Sequence, residues 1–302
     1  SARLPHAERW TRPMPSREQV LRLLEAQLHA CLDALPDGGD DADLYAHRLA
    51  LFHEDMHGDA FAWTRRALGH GAPAWWPALR ALPPDPPLQL PAGAATIGWP
   101  AGQSGFAFDN EGDAHRVSLP ACEIDAAPVT GGQVLAFVEA GGYAEPAFWP
   151  GAAGAWRRTQ ERMAPERWRR DGSGRWSHRW FDRWLALEPA LPVIHVNAYE
   201  AEAYCRWPGR RLPRAAEWEH AAVHGGFHWG ESVWEWMADD FLPYPGFTPG
   251  PYRDYSAPWF GDHRELRGGA VATSPRLLHR RYRNFFRPER SDVFAGFRTV
   301  AA

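Results

Sequence analysis

The sequence predicts an α+β protein in which a short helical part precedes a larger domain of short strands and irregular loops. Three observations predict it. Apolar residues recur at helical spacing as far as Leu68, residues 72–91 are crowded with proline, and the chain beyond Trp99 is tryptophan-rich and cut into short strand-like runs. With 17 Trp, 28 Gly and 28 Pro among 302 residues, the composition argues against a plain helical bundle.

This length accommodates two domains, with boundaries expected at 1–71 for the helical part, 72–91 for a linker and 92–302 for the second domain. The charge is near balance, 33 basic against 37 acidic residues, so no broad polyanion-binding surface is implied. Basic residues cluster at Arg157–Arg170 and Arg276–Arg290, both interleaved with Trp, Phe or Tyr. That interleaving favours loops around an aromatic core over a nucleic-acid surface. Cys31, Cys122 and Cys205 are far apart and form no Cys-x-x-Cys pair, which fits a reducing compartment without a disulfide framework. No signal peptide and no membrane-length apolar run is visible, so the expectation is a soluble cytoplasmic protein with no membrane partner.

In chain order, Ser16 caps a first helix, with Gln19 at the capping-box position and Val20, Leu21, Leu24, Leu28 and Leu32 on one stripe; it should end near Leu35-Pro36. After the Asp37-Gly38-Gly39-Asp40 turn, a second helix is expected from about Asp43 to Leu68, with Leu44, Leu51, Phe52, Phe61 and Leu68 apolar. A hairpin of two helices leaves one apolar face uncovered.

The second helix carries His53-Glu54-Asp55-Met56-His57. Two histidines four apart stand on one helix face about 6 Å apart along the axis, close enough to share a metal ion. The same pattern is the zinc metalloprotease signature, with Glu54 as general base, although Trp63 stands where the extended form has its third His. Ordinary surface histidines are the remaining reading. A third ligand is not obvious in the hairpin: His47 is displaced from His57 by about 15 Å along the axis, His29 reads as an incidental helix residue and His6 lies in a flexible lead. It is expected upstream of Ser1.

Residues 72–91, with the Trp75-Trp76 pair, can form neither helix nor central strand and read as a linker packed by its tryptophans. Short strands follow at Ala95–Trp99, His115–Leu119 and Ala121–Ile124, then a helix from Val134 to Glu139. Trp149 to Trp184 shows no clear period and is expected to be irregular. Pro192–Val196 is a buried-strand candidate, Asn197 caps a helix through Trp207, and Pro213 starts another through His220.

Several phrases in fixed order resemble the formylglycine-generating-enzyme-like fold, a C-type-lectin-like variant. They are Pro128-Val129-Thr130, Pro192-Val193-Ile194-His195-Val196 running into Ala201-Glu202-Ala203-Tyr204-Cys205-Arg206-Trp207, Gly209-Arg210-Arg211-Leu212-Pro213, Val233-Trp234-Glu235-Trp236, Leu266-Arg267-Gly268-Gly269 and Ala295-Gly296-Phe297-Arg298. Most of these look structural, Arg210 and Arg211 pairing with Glu217 and Glu219. A formylglycine-generating enzyme itself is disfavoured, because its chemistry uses a C-terminal cysteine pair and this chain has no Cys after Cys205.

The helix with His53 and His57, together with Phe106–Glu111, Tyr244–Phe247, Pro251–Ser256 and Tyr282–Phe286, is similar to the ergothioneine-type sulfoxide synthases. In that family a DinB-like helical bundle bearing three iron-binding histidines precedes this fold. The resemblance implies a partial DinB-like bundle here, with an N-terminal segment lacking, and Fe(II) held by His53 and His57. It also implies O2-dependent coupling of a thiol or selenol donor to the imidazole carbon of hercynine. Tyr252 and Tyr255 become candidate proton donors, each equally readable as packing, and Asn284, Phe285, Phe286 and Arg290 candidate substrate contacts, with Arg287 toward solvent. Glu54 becomes a residue that either bonds to a ligand histidine from behind or packs.

Departures bear on the donor. Asp55-Met56 stands where such synthases often have two Gln, and Asn284-Phe285-Phe286 where users of gamma-glutamylcysteine have Asn-Trp-Asp. The C-terminal stretch and the lead Pro5-His6-Ala7-Glu8-Arg9-Trp10 look most like the selenoneine synthase branch, whose donor is an uncharged selenosugar. A Ca2+ ion is not expected, since Glu231-Ser232 replaces the usual Gly-Asn. A zinc hydrolase and a non-catalytic lectin-like binding module are the other classes, and metal analysis separates all three.

Overall fold

In a computed structural model that describes residues 13–302, the chain divides into two compact units, one ending at Leu51 and one running from Phe52 to Ala302. The lead with His6 falls outside the described residues. In the first unit, helix α1 (Arg17–Asp33) opens as expected: Gln19 N–H donates to the Ser16 hydroxyl at 3.2 Å and Ser16 N–H to the Gln19 side chain at 2.8 Å. None of its residues is buried, and Leu21, Leu24, Leu28 and Leu32 are exposed. Helix α2 (Tyr45–Ala67) begins in this unit and continues into the next, closing at Gly69, whose φ of 73° suits the turn out of a helix.

The second unit contains four sheets. The first uses β1 (Leu88–Leu90), β4 (Cys122–Ile124), β8 (Arg210–Arg211) and β13 (Val300–Ala301) in the order β1-β4-β13-β8, and β2 (Gly93–Ile97) pairs with β3 (His115–Leu119). The proline-rich stretch thus supplies an edge strand, the position where missing N–H donors cost least. It is also anchored by Trp76, whose ring packs on Phe181 and Phe294, and by Asp85, 2.6 Å from His228.

Helices α3 (Gly131–Glu139), α5 (Ala198–Arg206) and α6 (Ala215–Ala221) follow the sequence reading, with Thr130 and Asn197 capping the first two. Trp149 to Trp184 does not. It forms α4 (Gly151–Arg158) and an antiparallel sheet of β5 (Trp168–Arg170), β6 (Trp176–Trp180) and β7 (Arg183–Ala186). Its strands mix Trp with Arg, Ser and His, and Arg169 stacked over Trp184 at 4.1 Å shields an aromatic ring without an apolar stripe to read. Pro192–Val196 is buried but is no strand: His195 has φ 66°, which breaks the pleat, and Thr130–Pro192 forms only an isolated bridge.

The sheet that positions the site is β9 (Trp234–Asp240), β10 (Arg264–Gly268), β11 (Asn284–Phe286) and β12 (Ala295–Gly296), in the order β11-β10-β9-β12. Trp234, Trp236 and Leu266 are buried in it. Three buried arginines fix its surroundings through carboxylates. Arg298 pairs with Glu235, Arg267 with Glu265 and Glu219, and Arg283 with Glu265. Of the pairs expected at Arg210 and Arg211, Arg211 meets Glu217 through two bonds of 2.8 Å, whereas Arg210 meets Glu123 and Asp125. Adjacent residues of a strand point to opposite faces, so the two arginines cannot share one partner helix.

Candidate metal and substrate site

Within the second unit, α2 is oriented by the residues it buries: Asp59, Ala62 and Arg66. Asp59 accepts from Trp234 Nε1 at 3.1 Å and from Thr273 Oγ1 at 2.9 Å, and Asp55 accepts twice from Arg276, at 2.9 and 2.7 Å. With that face committed, His53 and His57 stand elsewhere on the helix, their ring centroids 4.5 Å apart. Burial, then the neighbouring His57, lowers the His53 pKa, while Glu54 works the other way. His53 is therefore the neutral imidazole at pH 7, the form that binds a metal. Glu54 is exposed and sits 3.4 Å from His57 Nδ1.

Tyr252 meets His53 edge to face, with centroids 5.5 Å apart, and is 41% exposed. Tyr255 is different. Its ring is buried, stacked on Phe108 at 4.4 Å, and its hydroxyl donates to the Met56 sulfur at 3.6 Å and is bonded to Tyr282. Burial holds its pKa well above the ordinary value. Phe285 packs flat on Phe241 at 4.1 Å and edge-on to Tyr255 at 6.0 Å. Phe286 contacts Trp63 at 5.4 Å, and Arg290 lies over Phe286 at 4.8 Å and Trp63 at 5.4 Å while bound to Asp292 at 2.9 and 2.6 Å. Asn284 Oδ1 accepts from Phe285 N–H at 2.9 Å. Arg287 is exposed.

Ring contacts thus link His53, His57, Tyr252, Tyr255 and Phe285, while Phe286 and Arg290 gather at Trp63, further along α2. The contacts of Asp59 and Arg276 with the histidine helix escaped the sequence reading; the Asp55/Asp59 pair, spaced like the histidines on a helix, was the available signal. Among the described residues no group of three or more His, Cys, Asp or Glu side chains is arranged to hold a metal ion. None of the described helices is long and apolar enough to cross a membrane.

Residues 80–232 and 230–302 match the family described as the sulfatase-modifying factor enzyme 1-like domain, and the chain belongs to that family. Its relatives sharpen this. The chain is 32% identical over 349 residues to the hercynine oxygenase of Mycolicibacterium thermoresistibile, covering 97% of this chain and 77% of that protein. It is 31% identical over 319 residues to the hercynine oxygenase of Mycobacterium tuberculosis, covering 89% and 74%. The formylglycine-generating enzyme of Streptomyces coelicolor is 28% identical over 300 residues, covering 70% and 87%.

Proposed function

We propose that this chain is a nonheme iron oxidoreductase that uses O2 to join a chalcogen donor to the imidazole carbon of hercynine. The observation that carries the reading is the His53/His57 pair, ring centroids 4.5 Å apart and His53 against Tyr252, in a chain 32% identical to a hercynine oxygenase. The donors present suit Fe(II): two imidazoles on consecutive turns of one helix, one of them held neutral by burial. Bound there, Fe(II) would supply activation of O2.

The chain's own residues do the rest. Tyr252, half-exposed beside His53, is placed to move a proton at the reacting atoms. Tyr255, whose hydroxyl is already engaged by Met56 and Tyr282, positions the wall on which Tyr252 rests. Tyr252, Tyr255 and Phe285 offer the ring surfaces a trimethylammonium group needs, and Asn284, Phe286 and Arg290 border the donor. The zinc hydrolase reading loses support, since Glu54 is exposed with its side chain at 72% of full accessibility rather than enclosed beside a reacting centre.

The donor we assign is a selenosugar, with a cysteine-derived thiol as the second reading. Supporting this, Asp55 is matched with Arg276 and Arg290 with Asp292, and Phe285 and Phe286 add no charge. An uncharged donor suits such a site better than an amino acid. Protein loaded with Fe(II) is mixed in air with hercynine and equal selenosugar, cysteine and gamma-glutamylcysteine, and products are read by mass spectrometry. Selenium incorporation should dominate and vanish in His53→Ala; faster coupling of either thiol refutes the selenium assignment.

A further inference from the structure

The histidine-bearing part of α2 is held on another face by two carboxylates one helical turn apart. Both Asp55 oxygens are taken by the guanidinium of Arg276, at 2.7 and 2.9 Å, and the Asp55 side chain is only 10% exposed. Asp59 Oδ2 accepts from Thr273 Oγ1 at 2.9 Å and from Trp234 Nε1 at 3.1 Å. Thr273 and Arg276 belong to one segment, residues 270–276, which is itself fixed. Thr273 Oγ1 accepts from Ala270 N–H at 2.9 Å, Thr273 N–H donates to Ala270 O at 2.9 Å, and Val271 N–H donates to Ser232 O at 3.1 Å.

Asp55 and Asp59 repeat the spacing of His53 and His57, shifted by two residues, which is about 200° around the helix axis. A tie on one face therefore sets where the other points. A roll of about 20° moves an atom at the helix rim by about 2 Å, given a radius of about 5 to 6 Å with side chains. Metal–nitrogen bonds tolerate only about 0.2 Å. Ala62 and Arg66 pack a turn or more beyond the histidines, while Phe52 against Phe108 and Met56 against Tyr255 pack beside them, so the two carboxylate ties act together with these apolar contacts.

We propose that segment 270–276, acting through Arg276–Asp55 and Thr273–Asp59, is a brace that sets the roll of α2 and thereby aims the ring nitrogens of His53 and His57. Asp55, Arg276 and Thr273 are positioning residues; none of them touches the metal. The inference rests on His53 and His57 being metal ligands.

The test is a Co(II) titration followed by visible absorption, with thermal unfolding of the same samples. Variants are Asp55→Asn, Arg276→Gln, Thr273→Val and the exchanged pair Asp55→Arg with Arg276→Asp. Arg276 is half-exposed, so Arg276→Gln removes the charge pair with Asp55 without opening a cavity in the core. Each single variant should weaken Co(II) binding about tenfold, the lower end for residues that orient ligands, and change the absorption band. The exchanged pair should recover part of the affinity. Single variants that melt earlier yet bind Co(II) like the unaltered chain overturn the brace and leave the metal reading standing. An unaltered chain that binds no Co(II) removes both.

Discussion

Replacing Arg298 by Met tests the network beneath the site. Arg298 is completely buried and bonded to Glu235, including a contact of 2.7 Å, while also donating to the carbonyls of Asp125, Ala126 and His228 at 2.9, 3.1 and 2.6 Å. Its guanidinium lies 3.8 Å from the Phe227 ring centroid. With Arg298 gone, Glu235 keeps only the indole N–H of Trp218, at 3.0 Å, against a full negative charge in the core. Stranding a buried charge costs about 3 to 5 kcal/mol, so we expect a loss of about 4 kcal/mol. For a unit of this size that is about 8 to 16 °C in Tm. Glu235→Gln, which still accepts from Trp218, should cost about 3 kcal/mol because it leaves Arg298 charged.

The double variant decides the matter. Because each single change strands the other's charge, Glu235→Gln with Arg298→Met should cost about as much as one change alone, a coupling of at least about 2 kcal/mol. Urea unfolding of all four proteins measures it. Costs that add to within about 0.5 kcal/mol would show that the two side chains are stabilised independently and refute the reasoning. The consequence reaches the site, since Glu235 follows Trp234, whose indole holds Asp59 on the histidine helix.

Three further outcomes are expected. Burial pushes the Glu111 pKa up to about 8, so between its unfolded value and pH 8 the folded chain binds the extra proton and stability falls as pH rises; Glu111→Gln should remove on the order of a few kcal/mol of that fall between pH 5 and 8, and an identical slope in both proteins would contradict it. Asn197, fully buried, accepts from Glu200 N–H at 2.9 Å, so Asn197→Ala should lose about 1 to 2 kcal/mol in chemical unfolding, while a neutral change would show that the cap is dispensable. Tyr252→Phe should lower kcat about 100-fold with little change in Tm, whereas Tyr255→Phe should lose about 1 kcal/mol of stability and keep most of its turnover; the opposite pattern would exchange their roles.

What the sequence determined by itself is local. Ser16 with Gln19 and Asn197 with Glu200 announce helix starts because a cap and its partner lie within one turn. His53 and His57 declare a shared face because the helical period places them there, and the ordered motifs of residues 92–302 announce the family. Tertiary structure decided whatever depends on distant partners. The strands between Trp168 and Ala186 were illegible because their rings are covered by Arg stacking on Trp176 and Trp184 and by the distant Phe294 on Trp180, not by a local apolar stripe. Tyr252 and Tyr255 read alike in sequence, and only burial against Phe108, Met56 and Tyr282 separates them. Arg276 meets Asp55 across 221 residues, a pairing that no local spacing encodes, since it forms only after the 270–276 segment and α2 have packed together.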